Sequence, residues 1–376
     1  MRVGIVTYAL DRPLAGIGRA ARGLIEALDA TDGIDVVPLT PYADGPFQGP
    51  GWESWRLRGC RLLPALMTLG NVAVLNAARR ADLDIVHDPT SVSPFFIRPG
   101  WGDRGRVLTI HDVVPFLFPE THTALNNFLY KRWLPLTLGN VDALIVPSEA
   151  TKRDVERYLK VPAEKLHVTP WGVDLRFRPV PESEVAPVLR RYSIDAPYIF
   201  YVGSIEPRKN LGVLLRAFAR LRPSRPDLQL VIGGRPAWKH EAFFAEAAQL
   251  ELEDSVRFTG FVADSDLPPL YAGAVATVYP SLYEGFGLPV LESLACGTPV
   301  VCSDTAALTE VGGDACLYIP PADETGFVTA LQRLLDDAAL RATLREKGLE
   351  RAARFTWQET ARATVAVYEG VRAGRR

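Results

Sequence analysis

Tyr198-Ile199-Phe200-Tyr201-Val202-Gly203-Ser204-Ile205-Glu206-Pro207-Arg208-Lys209-Asn210, running on into the helical stretch Leu211–Leu221, is a strand, a glycine-led loop and a helix in that order. The unbroken apolar and aromatic run at its start suits a strand covered on both faces, as in a parallel sheet. The same pattern recurs on either side. After it, residues 229–232, 256–259, 275–279, 300–302 and 316–319 are strand candidates, separated by helical stretches such as 241–250. Before it, the candidates are 3–7, 36–39, 84–87, 107–111, 143–147 and 166–169. Between the first two of these, Ile17, Ala21, Leu24 and Leu28 recur at spacings of four, three and four, which marks one face of an amphipathic helix. Alternating strands and helices predict an α/β chain with doubly wound parallel sheets. With 376 residues, two such domains are expected rather than one.

Residues 176–197 carry Pro179, Pro181, Pro187 and Pro197 and suit a linker with a short helix. The boundary is therefore placed near 175–180, with a first domain over 1–177 and a second over 178–356. Residues 325–354 and 356–372 are helical in pattern and broken around Phe355. The last helix, 357–376, is expected to pack back on the first domain. Open doubly wound sheets bind ligands outside the carboxyl ends of their strands. Two Rossmann-like domains facing across a cleft are expected to line it with such ends.

Hydrophobic residues make up 48% of the chain and charged residues 23%, with a net charge of −2. That is the composition of a folded globular protein, without the basic excess of a nucleic-acid binder. An anionic ligand would need a local cluster of positive groups. Cys60, Cys296, Cys302 and Cys316 form no C-x-x-C pair and suit reduced, buried thiols. The first apolar run is too short for a signal peptide, and no stretch nears the length of about 20 apolar residues that spans a bilayer. The expected location is the cytoplasm. No metal ligand spacing is present.

Four segments at strand ends carry chemistry. Ala15-Gly16-Ile17-Gly18-Arg19 follows the first strand and suits backbone contact with a phosphate at a helix start. It lacks the full G-x-G-x-x-G spacing, and a plain tight turn explains it equally well. His111-Asp112 ends the strand 107–111 and is placed to face a ligand, or else caps a loop. Arg208 and Lys209 put two cations after Gly203-Ser204, where they suit a diphosphate leaving group better than bulk solvent. The richest segment is Ser281-Leu282-Tyr283-Glu284-Gly285-Phe286-Gly287-Leu288-Pro289-Val290-Leu291-Glu292. Pro289 suits the first helical position and Gly297 the helix end. Gly285 and Gly287 free backbone N–H groups at the helix start, which is an anion site. Glu284 then lies in the loop, and Glu292 lies in the first turn or just after it. A first-turn glutamate also complements the helix dipole, but that accounts for only one of the pair.

In these residues the chain resembles the retaining glycosyltransferases of family 4, of the GT-B fold. Glu284 and Glu292 match that family's E-x7-E motif, continued by Leu294-Ala295-Cys296-Gly297-Thr298-Pro299. Gly203 to Asn210 looks like its donor-phosphate loop, and His111-Asp112-Val113-Val114-Pro115 like its acceptor-side histidine segment. Pro147-Ser148-Glu149, Gly172-Val173-Asp174 and Thr259-Gly260-Phe261-Val262 fall in the family's order. The resemblance implies that Glu292 binds the donor ribose and Glu284 the transferred sugar. It implies that Arg208 and Lys209 hold the diphosphate and that Gly16 lies near the phosphates, with Gly18, Gly203 and Ser204 in the same donor site. His111 would touch the sugar near the reacting carbon. Gly260, Phe261 and Val262 would cradle the base by backbone contacts, and Gly285, Phe286, Gly287 and Leu288 would complete the donor loop. Transfer would retain the anomeric configuration by front-face attack and would need no metal. Three positions depart from the family's usual pattern: Ala15 before Gly16, Ser204 where Arg is common, and Trp171 where Asn is common.

The donor implied is a nucleotide sugar, GDP-mannose before a UDP-hexose, because 206–210 and 111–115 resemble mannosyltransferase branches. The acceptor implied is a glycan or a lipid-linked sugar. A nucleotide-sugar epimerase of the same architecture, an NAD-dependent oxidoreductase and a catalytically silent sugar-nucleotide binder are the alternatives. Trp52, Trp55, Arg56, Leu57, Arg58, Arg61, Leu62, Leu63, Leu66 and Met67 mix aromatic, apolar and basic side chains. They suit either peripheral contact with an anionic bilayer or a helix packed on the first domain.

Overall fold

The computed structural model describes residues 1–8, 15–40, 55–57, 63–68, 70–97, 99–121, 124–195, 197–237 and 239–375. The chain divides into two compact units, Met1–Gly172 with Thr356–Arg376, and Val173–Phe355.

The first unit is built on strands β1 (Arg2–Val6), β2 (Asp35–Thr40), β3 (Trp55–Arg56), β4 (Ile85–Asp88), β5 (Gly105–Thr109), β6 (Ala143–Val146) and β7 (Leu166–Val168). They lie in the order β3-β2-β1-β4-β5-β6-β7, all parallel. Val3, Ile5, Ile85 and Val107 are fully buried because helices cover both faces of the sheet. On one face lies the helix Ala15–Asp29, which buries Ala21, Leu24 and Leu28. The last helix, Trp357–Ala373, adds Ala361, Val367 and Tyr368 to the same core. Full burial of a side chain of Val367 or Tyr368 size is worth about 1.5–3 kcal/mol.

The second unit holds β8 (Tyr198–Val202), β9 (Gln229–Gly233), β10 (Val256–Gly260), β11 (Ala276–Tyr279), β12 (Val300–Ser303) and β13 (Cys316–Ile319). Their order is β10-β9-β8-β11-β12-β13, again parallel throughout. Each sheet starts at an inner strand, grows outward on one side, then returns and grows outward on the other. The order therefore reverses between β1 and β4, and between β8 and β11. Ligands of open α/β sheets bind at the carboxyl ends of the strands flanking such a reversal.

Two expectations change. Residues 325–354 are not one helix but two, Glu324–Asp336 and Ala338–Ala352. Asp337 separates them in an extended conformation (φ −111°, ψ 95°), and its carboxylate accepts from Leu340 N at 2.9 Å, so it caps the second helix. The segment over 51–80 contributes the short edge strand β3 and the helices Leu63–Thr68 and Gly70–Arg80. Leu57, Leu66 and Met67 are buried in the first unit. Trp52, Arg58, Arg61 and Leu62 lie outside the described residues. Cys296, Cys302 and Cys316 are free and buried. Among the described residues no helix is long and apolar enough to cross a membrane.

Candidate active site

β8 and β11 pair directly, so the loops leaving their carboxyl ends, 203–210 and 280–287, are neighbours. Leu282 N donates to Arg208 O at 2.9 Å. Asn210, in the left-handed region at φ 56°, ends the short turn Pro207–Lys209 and donates its side-chain amide to Pro280 O at 3.0 Å. The turn thereby aims Arg208 and Lys209 at the other loop. Lys209 Nζ donates to Glu284 Oε1 at 2.6 Å and Arg208 Nη1 to Oε2 at 3.0 Å. Ser281 Oγ adds a third donor to Oε1 at 2.7 Å. Arg208 also donates to Glu206 Oε1 at 2.6 Å and to Tyr283 O at 2.8 Å. These charged side chains are only 13–15% exposed.

Two cations and two carboxylates thus cancel within one cluster, although sequence reading treated the basic pair as free positive charge. Burial pushes the Glu284 carboxyl up, but the charges of Lys209 and Arg208 outweigh it and hold it at about 2. Burial lowers the Lys209 ammonium, helped by the charge of Arg208 and opposed by Glu284. An arriving anion must share Arg208 and Lys209 with the glutamates that already accept from them.

The helix Leu288–Ala295 opens after Gly287, whose φ of 123° is available to glycine without strain. Leu288 is the first helical residue and Pro289 the second, so Glu292 lies just past the first turn. Its side chain is buried, with the residue 3% exposed, and Oε2 accepts from Tyr271 Oη at 2.9 Å. Tyr271 Oη in turn lies 3.3 Å from Tyr279 Oη. Phe286 packs against Phe355 at 6.0 Å between centroids, and Leu288 is buried, so both offer main-chain rather than side-chain groups to a ligand.

Beside this cluster the loops after β8, β9 and β10 touch through their glycines. Gly203 N donates to Gly233 O at 2.9 Å and Gly234 N to Gly260 O at 2.6 Å. A Cβ on Gly234 would fall 1.8 Å from Gly203 O, and its φ is +136°. No side chain fits there. Ser204 O accepts from Tyr201 Oη at 3.0 Å. At the outer edge Phe261 is 56% exposed, and the Arg235 guanidinium stands 4.8 Å from its ring centre. Val262 is buried.

In the first unit the helix after β1 carries Gly16 and Gly18. Gly16 is exposed, and among the described residues no atom beyond its chain neighbours and its own helix backbone lies within 4 Å of where its Cβ would be. His111 follows β5. Its Nε2 lies 2.7 Å from Pro89 O. A carbonyl only accepts, so this nitrogen carries the proton and donates. The ring lies 5.1 Å from that of Trp171, and Nδ1 is buried without a partner among the described residues. Burial lowers the pKa of His111 against the opposing pull of Pro89 O and Asp112, so the imidazole is neutral. Asp112 Oδ1 accepts from Val114 N at 2.9 Å and steadies the segment after it.

The family model for Glycosyltransferase Family 4 matches residues 14–177, and that for Glycosyl transferases group 1 matches residues 191–351. O-antigen chain mannosyltransferase B of Escherichia coli is 31% identical over 380 residues, which cover 98% of this chain and 100% of that protein. The chain belongs to glycosyltransferase family 4. Solved structures share the fold of this family-4 transferase. Sucrose-phosphate synthase from Thermosynechococcus elongatus superposes with a TM-score of 0.81 at 24% identity, over 100% of both chains. HepE from Anabaena, in complex with UDP-glucose, gives 0.76 at 18% identity, over 100% of this chain and 99% of that one. The fold is GT-B, and nothing in these likenesses favours the epimerase, oxidoreductase or silent-binder readings.

The second unit of the transferase brings Gly203, Ser204, Arg208, Lys209, Gly260–Val262 and the segment Glu284 to Glu292 to one end of its sheet. Gly16, Gly18 and His111 stand at the carboxyl-end side of the first sheet. Sequence reading missed Tyr271, Ser281 and Glu206. Glu206 was visible in the quoted run, and its charge beside Arg208 was the signal that the cations are compensated. Tyr271 sits on the helix Leu267–Ala272, where nothing in its spacing marks it as a partner of Glu292.

Proposed function

We propose that this transferase moves a hexose, mannose first, from a nucleotide-diphosphate donor to a glycan or lipid-linked acceptor with retention of configuration. One observation carries the reading. At the strand reversal of the second sheet, Arg208 and Lys209 converge on Glu284, with Glu292 on the helix that follows. In the unliganded state the glutamates hold the cations in place. A donor diphosphate takes over part of their hydrogen-bonding capacity, and the cations then stabilise the charge that builds on the leaving group. The bond from the anomeric carbon to the phosphate oxygen breaks, the acceptor oxygen bonds the same face, and a phosphate oxygen takes the acceptor's proton. Glu284 orients the sugar hydroxyls and Glu292 the ribose. Charge neutralisation falls to Arg208 and Lys209 rather than to a metal, with Arg208 standing in for the arginine that Ser204 replaces. The open space above Gly16 suits close approach of a phosphate, and His111 serves as a neutral imidazole.

Mannose is favoured by the name of the E. coli relative, which matches end to end. A UDP-hexose is the alternative, as bound by HepE. The protein is read as cytoplasmic. A lipid-linked acceptor would meet apolar side chains that the first unit exposes, such as Phe96, Ile97, Leu125, Phe128 and Leu136. Phe96 is stacked on Trp133 at 4.5 Å, which ties the loop to that region. The test is release of nucleoside diphosphate from a panel of GDP- and UDP-sugars. GDP-mannose is expected to be turned over fastest. Turnover of UDP-sugars alone overturns the mannose assignment, and neither binding nor turnover of any of them overturns the donor site.

A further inference from the structure

A small cavity in the first unit is walled in part by Pro89, Thr109, His111, Thr169, Trp171 and Thr364. The space open to the centre of a water-sized sphere is about 10 Å³, the lower end of what one water molecule needs. Three polar atoms on this wall have no hydrogen-bond partner among the described residues: His111 Nδ1, Thr169 Oγ1 and Thr364 Oγ1. Their residues are 5%, 1% and 0% exposed, respectively, so bulk solvent does not satisfy them. The other two threonine hydroxyls of the wall are already engaged. Thr360 Oγ1 donates to Pro170 O at 2.7 Å. Thr109 Oγ1 lies 2.8 Å from His87 Nε2, and His87 Nδ1 lies 2.7 Å from Tyr368 Oη.

We infer that this cavity binds one ordered water molecule, which donates to His111 Nδ1 and joins it to the hydroxyls of Thr169 and Thr364. The chemistry is selective. With Nε2–H committed to Pro89 O, Nδ1 presents a lone pair and requires a donor. Water gives one proton to Nδ1 and the other to one threonine oxygen, and accepts from the second threonine. Three partners is the usual complement of a buried water. Thr364, on the last helix, and Thr169, just after β7, are then positioning residues. They hold the plane of the His111 ring through the water, while Pro89 O sets its tautomer. Only the consequence for sugar transfer rests on the proposed function; the water site stands on the geometry alone.

The experiment uses the full chain with ¹⁵N-labelled histidine, which gives five imidazoles to resolve. The His111 signals are assigned by their loss in His111→Gln. Thr364→Val removes the hydroxyl at nearly constant shape, and Thr364→Ser keeps it. The expected result is a downfield shift of the His111 Nδ1 resonance in Thr364→Val, as its donor weakens or leaves, with wild-type position in Thr364→Ser. Thr169→Val and Thr169→Ser repeat the comparison where the first pair fails to fold. A high-resolution crystal structure of the wild type is expected to show one water within hydrogen-bonding reach of all three atoms. A dry cavity, a flipped ring with Nδ1 on a protein donor, or identical Nδ1 positions in the valine and serine variants overturns the inference. None of these readouts involves a sugar nucleotide, so failure here is distinct from failure of the donor assignment.

Discussion

Glu284 accepts from Lys209, Arg208 and Ser281, and that single carboxylate decides how the site answers both acid and mutation. Its folded carboxyl titrates at about 2 against an ordinary 4.5. Ionisation therefore favours the folded state above pH 4.5, and the contribution is lost as the pH falls through about 2. The shift alone corresponds to ~3 kcal/mol. Lys209 works against it, since its lowered ammonium subtracts stability wherever the lysine is charged, so the net is smaller. Glu284→Gln leaves two largely buried cations with one carboxylate between them. It is expected to lower urea stability at pH 7 by roughly 2–3 kcal/mol and to flatten the loss of stability between pH 4.5 and 2. An unchanged acid limb in that variant removes Glu284 from its place in the network. Tyr271→Phe removes the hydroxyl that donates to Oε2 of the buried Glu292 carboxylate. A cost of ~1–3 kcal/mol is expected in thermal unfolding, with weaker nucleoside affinity in titration calorimetry. Spacing and resemblance marked Glu284, Glu292, Arg208 and Lys209. The compensation of the cations was not legible, because it depends on which side chains of two loops distant in sequence meet after folding.

The loops after β8, β9 and β10 pack glycine against glycine, and Gly234 is the tightest point. Gly234→Ala must move Gly203 O and adopt an unfavourable φ, at a cost of about 2 kcal/mol. The expected signature is lower urea stability together with weaker nucleoside diphosphate binding, since Gly203 leads into the Arg208 loop. Wild-type affinity in a destabilised variant would separate the glycine packing from the ligand site. Asp337→Ala removes the cap between the helices Glu324–Asp336 and Ala338–Ala352 and is expected to cost ~1 kcal/mol in thermal unfolding. The strands were legible because apolar runs such as 198–202 and 300–302 are continuous where both faces are covered. The break at Asp337 was not, because the helical periodicity continues through it and a capping aspartate looks like any acidic residue on an exposed face. The edge strand Trp55–Arg56 is too short for any periodicity to announce it.

At the scale of the whole chain, the last helix belongs to the core of the first unit, far from it in sequence. Tyr368 meets His87 at 2.7 Å, and Ala361 and Val367 sit in the cluster with Val3, Leu24 and Ile85. Removing 357–376 uncovers that face and is expected to abolish the first unit's cooperative unfolding transition while leaving that of the second. Calorimetry of the truncated chain checks this. In the proposed reading, Arg208 and Lys209 at the strand reversal of the second unit hold the diphosphate of the donor, Glu292 its ribose and Glu284 the transferred sugar. A crystal structure of the full chain soaked with GDP measures it. The expected density places the diphosphate within hydrogen-bonding distance of Arg208 and Lys209 and the ribose hydroxyls on Glu292. Well-ordered GDP bound elsewhere, with Arg208 and Lys209 still closed on Glu284 and Glu206, would contradict it.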